Sequence, residues 1–339
     1  MPTVIAIEAK PVEFRGVDSG FFHLYLVKRV TDEQGNVVSE KVIRGTAGGE
    51  GELETLAGVD LASSPDRRGS DTLEERHHTP LNLAGRDADD VWSIMVQHAR
   101  NIDRADLDYS VDISKDLPGD DLNSNSVVAS VLHTIRVDWA KTLPSGISRS
   151  EVPLVGQIQY MEVNDVLRGT ESSDAILGGV GNDSISGFGQ DDLLSGESDN
   201  DRLSGGTGDD SVVGGTGNDR IFGGGGDDVL RGSSGADAFI FHARPGGSAG
   251  IDIIRDFSVV DDAVWLSDTV FTNVGPEGRL KSWVFWTGSE AHDATDRIIY
   301  DSGQGVLYYD PDGTGATEQI AFAKLTTGLK MSFADFQVI

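Results

Sequence analysis

The stretch LSGGTGDDSVVGGTGNDRIFGGGGDDV, residues 203–229, decides the fold, because it contains almost nothing from which an ordinary core could be built. Around it an aspartate recurs every nine residues: Asp174, Asp183, Asp192, Asp201, Asp210, Asp219, Asp228 and Asp237. Two positions after each stands a branched apolar or aromatic residue: Ile176, Ile185, Leu194, Leu203, Val212, Ile221, Leu230 and Phe239. A glycine keeps the same step, at Gly169, Gly178, Gly187, Gly196, Gly205, Gly214, Gly223 and Gly232. Three residue classes held in phase over eight steps describe a solenoid, in which each unit packs only on its neighbours.

Each unit reads as a tight turn followed by one short strand. Glycine supplies the positive φ angles of the turn, and the lone apolar side chain points into a thin shared interior. One aliphatic side chain per nine residues does not offset the conformational entropy lost in ordering them. Charge opposes the stack as well, since residues 167–238 carry fourteen acidic residues against four arginines and no lysine, a net charge of −10. Two like charges ~4 Å apart repel by roughly 4 kcal/mol at an effective dielectric of 20. Closing the stack therefore calls for a cation. Hard oxygen ligands in flexible loops, with backbone carbonyls freed by glycine, suit Ca²⁺ and suit neither zinc nor copper.

The units GGVGNDSIS (178–186), GGTGDDSVV (205–213), GGTGNDRIF (214–222) and GGGGDDVLR (223–231) resemble the calcium-binding nonapeptide G-G-x-G-x-D-x-U-x of RTX (repeats-in-toxin) proteins. The resemblance implies a parallel β-roll with each Ca²⁺ held between turns on the same side. Carried over by position, it makes carboxylate ligands of Asp174, Asp183, Asp192, Asp201, Asp210, Asp219, Asp228 and Asp237. The glycine-rich turns, with Gly178, Gly205, Gly214 and Gly223, add carbonyls. Two units depart from the pattern: Phe188 and Glu197 replace the second glycine, and Gln190 and Asp199 the fourth. The outermost units, GTESSDAIL (169–177) and GSSGADAFI (232–240), are looser and read as caps or weak sites. A Gly/Asp-rich run is otherwise a flexible acidic linker, but linkers hold no apolar residue at every ninth position. A phosphate-binding glycine loop is opposed by aspartate where phosphate would lie.

The chain of 339 residues has a formal charge of −29 and no cysteine. Nucleic acid and anionic membrane surfaces are therefore poor partners, and thiol catalysis, disulfides and cysteine metal sites are excluded. The start, MPTVIAIEAKPVEF, has neither a basic head nor an apolar run of signal-peptide length, and no segment reaches 18 apolar residues. Export without a cleaved signal is the expectation. From about residue 235, alternating apolar segments (IDIIRDFSV, DDAVWLSD, QIAFAKL, MSFADFQVI) with turn signals at DSGQG and DPDGTG resemble the C-terminal region of serralysin-type RTX proteins, which type I secretion systems read. Calcium and secretion then fit one mechanism, a roll loose enough to be threaded in the calcium-poor cytoplasm and folded by Ca²⁺ outside the cell.

The expected fold class is an α+β N-terminal domain (1–150), a linker (151–166), the calcium β-roll (167–239) and a β-rich C-terminal cap carrying the secretion signal (240–339). In the first domain, strands are expected near 3–8, 20–30 and 36–45, with a helix over 87–105 capped by Asp87 or Asp89. Val91, Met95, Ala99 and Ile102 line that helix on its buried side. The segment NSNSVVASVLHTI (123–135) opens as a helix cap, and FFHLYLV puts His23 on a strand. A strand histidine followed about a hundred residues later by such a helix start resembles the circularly permuted papain-like fold of lecithin retinol acyltransferase relatives. That alignment puts Ser124 in the place of the nucleophilic cysteine and His23 in the place of the base. The domain is then either an extracellular hydrolase or acyltransferase using Ser124 and His23, or a binding module in which the site is degenerate. No HExxH zinc motif occurs, and EERHH (74–78) reads as a solvated loop. GGSAG (246–250) matches G-x-S-x-G only as a string.

Overall fold

The computed structural model describes residues 1–14, 17–47, 53–60, 77–105, 124–144, 147 and 162–339. The chain divides into two compact units, Met1–Leu167 and Arg168–Ile339.

The first unit is a five-stranded antiparallel sheet with two helices. Strands β1 (Thr3–Phe14), β2 (Val17–Thr31), β3 (Val37–Ala47), β4 (Leu53–Asp60) and β5 (His77–Pro80) lie in the order β4-β3-β2-β1-β5. Period-2 alternation sends Leu24 and Leu26 to one face with Ile5, Ile7 and Ile43, and all five are fully buried. Helices α1 (Ala88–Arg104) and α2 (Ser124–Thr134) pack against this sheet and against each other. Asp87 caps α1 by accepting the N–H groups of Asp89 (2.7 Å) and Asp90 (3.2 Å), and Val91, Met95, Ala99 and Ile102 are buried at the expected spacing. EERHH departs from expectation. His77 and His78 belong to β5, and His78 Nδ1 lies 3.1 Å from the buried Glu8, which also binds Arg29 at 2.8 Å. Arg29 in turn reaches Glu40 at 2.8 Å, so the histidine joins a buried ion cluster.

The second unit is a parallel β-roll. Its repeat strands are β6 (Val166–Arg168), β7 (Ala175–Val180), β8 (Ser184–Gly189), β9 (Leu193–Ser198), β10 (Arg202–Thr207), β11 (Ser211–Thr216), β12 (Arg220–Gly225), β13 (Val229–Ser234) and β14 (Ala238–Phe241). Consecutive strands go to opposite sheets: β6, β8, β10, β12 and β14 form one, and β7, β9, β11 and β13 the other. Two nine-residue units thus make one coil, and neighbours within a sheet are 18 residues apart, as in Leu203 opposite Ile185 and Ile221. The apolar residue of every unit is buried between the sheets, Ile176 through Phe239 being at most 2 % exposed.

Parallel stacking does not stop at Phe239. Strands β15 (Asp252–Ile254) and β16 (Ala263–Leu266) extend the two sheets, followed in parallel by β21 (Ile320–Lys324) and β22 (Phe336–Val338). Between them β17 (Gly278–Arg279), β18 (Phe285–Thr287), β19 (Ile298–Asp301) and β20 (Val306–Tyr309) complete the sheets, with antiparallel pairs β19–β20 and β20–β21 at the expected turns DSGQG and DPDGTG. An edge-to-face cluster of Phe241, Phe271, Tyr309 and Phe322 gives this end the aromatic core that the repeats lack.

The turns explain the glycines. Gly215 has φ +127°, and a methyl group there would strike the carbonyl of Glu197, stacked one coil earlier. In the two degraded units Phe188 (φ +83°), Gln190 (+63°), Glu197 (+78°) and Asp199 (+75°) adopt the same left-handed backbone despite their side chains. Gly215→Ala is therefore expected to destabilise the roll by about 1–3 kcal/mol, whereas Gln190→Gly leaves stability within about 1 kcal/mol of the parent. Chemical denaturation of the two variants checks the contrast; equal losses would contradict the turn geometry.

Candidate metal centre

Every ninth residue brings an aspartate to the end of a turn, and alternation between sheets sorts these into two rows. One row holds Asp174, Asp192, Asp210 and Asp228; the other holds Asp183, Asp201, Asp219 and Asp237. Each carboxylate reaches to the preceding turn of its own row: Oδ1 of Asp192, Asp210 and Asp228 accepts the N–H of Asp174, Asp192 and Asp210, at 2.7–2.8 Å. In the other row Asp201, Asp219 and Asp237 accept from Asp183, Asp201 and Asp219 at 2.8–2.9 Å. All eight aspartates are buried, none more than 4 % exposed.

One oxygen of each of these six acceptors is thereby used, and the other is not. Oδ2 of Asp192, Asp201, Asp210, Asp219, Asp228 and Asp237 is buried and has no hydrogen-bond partner. Buried polar atoms are normally satisfied, so a regular array of unsatisfied ones implies a ligand. The first glycine of each unit leaves room beside that oxygen. A methyl group on Gly187 would sit against Asp192 Oδ2 and 2.6 Å from the Gly205 carbonyl oxygen. Gly196 stands likewise between Asp201 Oδ2 and the Gly214 carbonyl, at 2.7 Å, and Gly205 between Asp210 Oδ2 and the Gly223 carbonyl, at 2.6 Å. Gly178 is the bare position facing Asp183. The donor set is carboxylate and peptide carbonyl only, which is the chemistry of Ca²⁺.

Burial pushes these acids up, with neighbouring carboxylates adding to it at Asp192, Asp201, Asp210, Asp228 and Asp237. Asp192, Asp201 and Asp210 rise to about 7 and Asp237 to about 6, and Asp219 and Asp228 shift the same way. The backbone N–H bonds to Oδ1 oppose the rise without cancelling it.

The two rows run past the nonapeptides. Asp252 Oδ1 accepts the N–H of Asp228 at 3.3 Å and Asp262 Oδ1 that of Asp237 at 3.0 Å, both residues being buried. Burial and the Asp228 charge raise Asp252 to about 8. Sequence reading missed both because the spacing lengthens to 24 and 25 residues. The D-x-apolar signal of Asp252–Ile254 and Asp262–Val264 was present. At the other end Asp174 differs from its fellows: its Oδ2 accepts the backbone N–H (2.7 Å) and the hydroxyl (3.0 Å) of Thr170.

In the first unit, His23 lies on β2 opposite Lys10 and Ser124 opens α2, while the side chains of both lie outside the described residues. Their chain neighbours meet: Leu24 N–H donates to Asn125 Oδ1 at 2.7 Å. A different serine and histidine come together. His98 Nε2 is 2.7 Å from Ser130 Oγ, His98 Nδ1 is 2.7 Å from Asp165 Oδ2, and Asn101 donates to Asp165 Oδ1 at 2.7 Å. Ser130 sits in the middle of α2, where its own N–H belongs to the helix and offers no oxyanion donor. The network is buried throughout and ties α1 and α2 to Asp165 within the first unit. A cleft of about 400 Å³ elsewhere in this unit is lined by Lys28 and Lys41 from β2 and β3 and by Asp89, Trp92, Gln97 and Arg100 from α1.

Comparison with known proteins places the repeats. The model of the RTX calcium-binding nonapeptide repeat (4 copies) matches residues 164–203 and 204–239. No curated protein matches the chain. Among solved structures, the solution structure of the AlgE6R3 subunit of the Azotobacter vinelandii mannuronan C5-epimerase is similar at 22% identity. The match covers 54% of this chain and 81% of that one, with a TM-score of 0.18, which gives it no weight for the fold. Residues 164–239 of this chain are therefore RTX calcium-binding nonapeptide repeats, and the oxygen-lined rows are what those repeats build.

Proposed function

We propose that this protein is exported through a type I secretion apparatus as an open chain, folds on Ca²⁺ outside the cell, and carries its N-terminal unit as a binding module. The rows of buried, unpartnered Asp Oδ2 atoms carry the reading. A stack whose carboxylates face one another without a cation is held open by its own charge, so a calcium-poor cytoplasm keeps it threadable. Extracellular calcium modules bind at about 10⁻⁴–10⁻³ M, and in such modules metal-binding free energy is folding free energy.

Asp192, Asp201, Asp210, Asp219, Asp228 and Asp237 are the proposed carboxylate ligands, and Asp183 joins them by register. Carbonyls of Gly205, Gly214 and Gly223 supply neighbouring oxygens, with Gly178 keeping the space clear. Asp174, committed to Thr170, closes the stack. For the N-terminal unit, the cleft at Lys28, Lys41 and Arg100 supports binding of an anionic group. Lys28 and Lys41 are directly opposed across β2 and β3, with Asp89 2.6 Å from Lys28 and Asp60 opposite Lys41 across β3 and β4. Like charges so placed repel, and an anionic ligand relieves them. The hydrolase reading with Ser124 and His23 has no comparable observation behind it.

Far-UV circular dichroism of the full chain should gain β signal at about millimolar Ca²⁺ and lose it on chelation; a flat titration would sink the proposal. Asp210→Asn should raise the calcium midpoint by about tenfold, since removing a paired ligand charge costs on the order of 1–2 kcal/mol. Acidity gives a second check. The folded-state values near 7 lie above the unfolded aspartate value near 3.9, so the metal-free roll binds protons more tightly than the unfolded chain. That stabilisation is complete below about pH 4 and is lost as pH rises through about 7. Calcium needs the ionised carboxylates, so its apparent affinity runs the other way. It should climb about tenfold or more between about pH 5.5 and 7.5, with proton release seen by calorimetry in two buffers.

A further inference from the structure

The residue before each of the six inner row aspartates alternates along the chain: Asn182, Asp191, Asn200, Asp209, Asn218, Asp227. Because neighbours in a row are 18 residues apart, the alternation sorts completely, with aspartates on one edge of the roll and asparagines on the other. Their geometry is the same. Asp209, Asp227 and Ile251 donate their N–H groups to Oδ1 of Asp191, Asp209 and Asp227 at 2.8–2.9 Å. Asn200, Asn218 and Ala236 donate theirs to Oδ1 of Asn182, Asn200 and Asn218 at 2.8–3.1 Å. The side chain thus serves the same turn-to-turn bond on both edges, and apart from the Asn200 Nδ2–H bond to Asn182 Oδ1 at 3.1 Å the exchange of Asp for Asn changes only charge.

The residue after the row aspartate sorts in the same sense. On the acidic edge the triplets are Asp191-Asp192-Leu193, Asp209-Asp210-Ser211 and Asp227-Asp228-Val229. On the other edge they are Asn182-Asp183-Ser184, Asn200-Asp201-Arg202 and Asn218-Asp219-Arg220. Both arginines are held over rings, Arg202 4.2 Å from the centroid of Phe222 and Arg220 5.4 Å from that of Trp265. Six carboxylates and no base on one edge face three carboxylates and two fixed cations on the other. Glu197 and Asp199 return negative charge to the second edge, but only at the turn of Asp201.

Resting on the calcium reading above, we infer that the two edges are two classes of calcium site. The row of Asp192, Asp210 and Asp228 fills first, and the row of Asp183, Asp201 and Asp219 fills at higher calcium, Asp201 ahead of its two fellows. A carboxylate one residue from a divalent ion raises its affinity by about tenfold even in a water-like dielectric, and a fixed guanidinium acts in the opposite sense. The residues before the row aspartates are exposed, so added salt narrows the gap between the rows. Between the two midpoints one edge of the roll is bridged and the other is open.

Calorimetric titration of the full chain with Ca²⁺ at low ionic strength tests this. Two binding phases with midpoints about tenfold or more apart are expected. Asp210→Asn should take sites from the tight phase and Asp219→Asn from the weak one. The triple variant Asp191→Asn, Asp209→Asn, Asp227→Asn, which keeps every turn-to-turn hydrogen bond, should merge the phases at the weaker midpoint with the stoichiometry unchanged. A pair Asn182→Asp, Asn218→Asp should move the weak phase toward the tight one. A single phase in the parent, or two phases unmoved by the triple variant, overturns the two-class assignment while calcium binding stands. Absence of any binding heat or structural change overturns the calcium reading itself.

Discussion

Repulsion among stacked carboxylates governs this protein. Each coil of the roll carries two aspartates into the interior of its turns, where water has little access and where the next aspartate of the row lies directly above. Hydrogen bonds to backbone N–H groups satisfy one oxygen of each, and they fix the carboxylate so that its second oxygen faces its neighbours' carbonyls. Burial that disfavours charge, together with donors that favour it on one side only, raises these acids and leaves each with an oxygen that a proton or a cation would satisfy. Everything else in the repeat serves to make that arrangement possible.

Glycine is the means. A left-handed backbone at the second and fourth positions of the unit lets the chain turn within a few residues, and the missing Cβ lets one turn lie on the carbonyls of the turn one coil earlier. The first glycine has a different duty, since it clears the space beside the aspartate oxygen. That division explains why Phe188, Gln190, Glu197 and Asp199 are tolerated, while Gly187 and Gly196 are kept in the same units. The degraded positions hold a strained φ, whereas any side chain at the first position would occupy the cradle itself.

The nine-residue register made the roll, its interior residues and its aspartate rows legible from sequence, because identical neighbours on a solenoid repeat any local pattern without tertiary noise. Helix α1 was equally plain from its apolar spacing and from a cap at Asp87 or Asp89, of which the structure uses Asp87. Where the signal was not local it was lost. Asp252 and Asp262 continue the rows, but loops between the strands break the nine-residue step. His98, Ser130 and Asp165 are brought together from 32 and 67 residues apart, and no spacing rule connects them. His78 read as a loop residue because its partner, Glu8, is 70 residues away on a neighbouring strand. The sorting of Asp191, Asp209 and Asp227 from Asn182, Asn200 and Asn218 was printed in the sequence throughout. It gained meaning only once the coil was known to be two units long.

On the proposed calcium reading, sites shared between coils would make the roll cooperative in one dimension. An ion held by a carboxylate and by carbonyls of a neighbouring coil orders both, so each filled site lowers the entropy still to be lost at the next. Such a stack needs a place to begin, because the first coil orders itself with no neighbour to help. The C-terminal end supplies one. There β15, β16, β21 and β22 extend the same two parallel sheets over a core of Phe241, Phe271, Tyr309 and Phe322, residues whose packing asks nothing of a metal. Asp252 and Asp262 hang on those strands in register with the rows, so the aspartate rows continue onto a surface that ordinary hydrophobic burial holds in place. From that surface each further coil contributes mainly its aspartates and glycines, which is why so little apolar material suffices for residues 169–239.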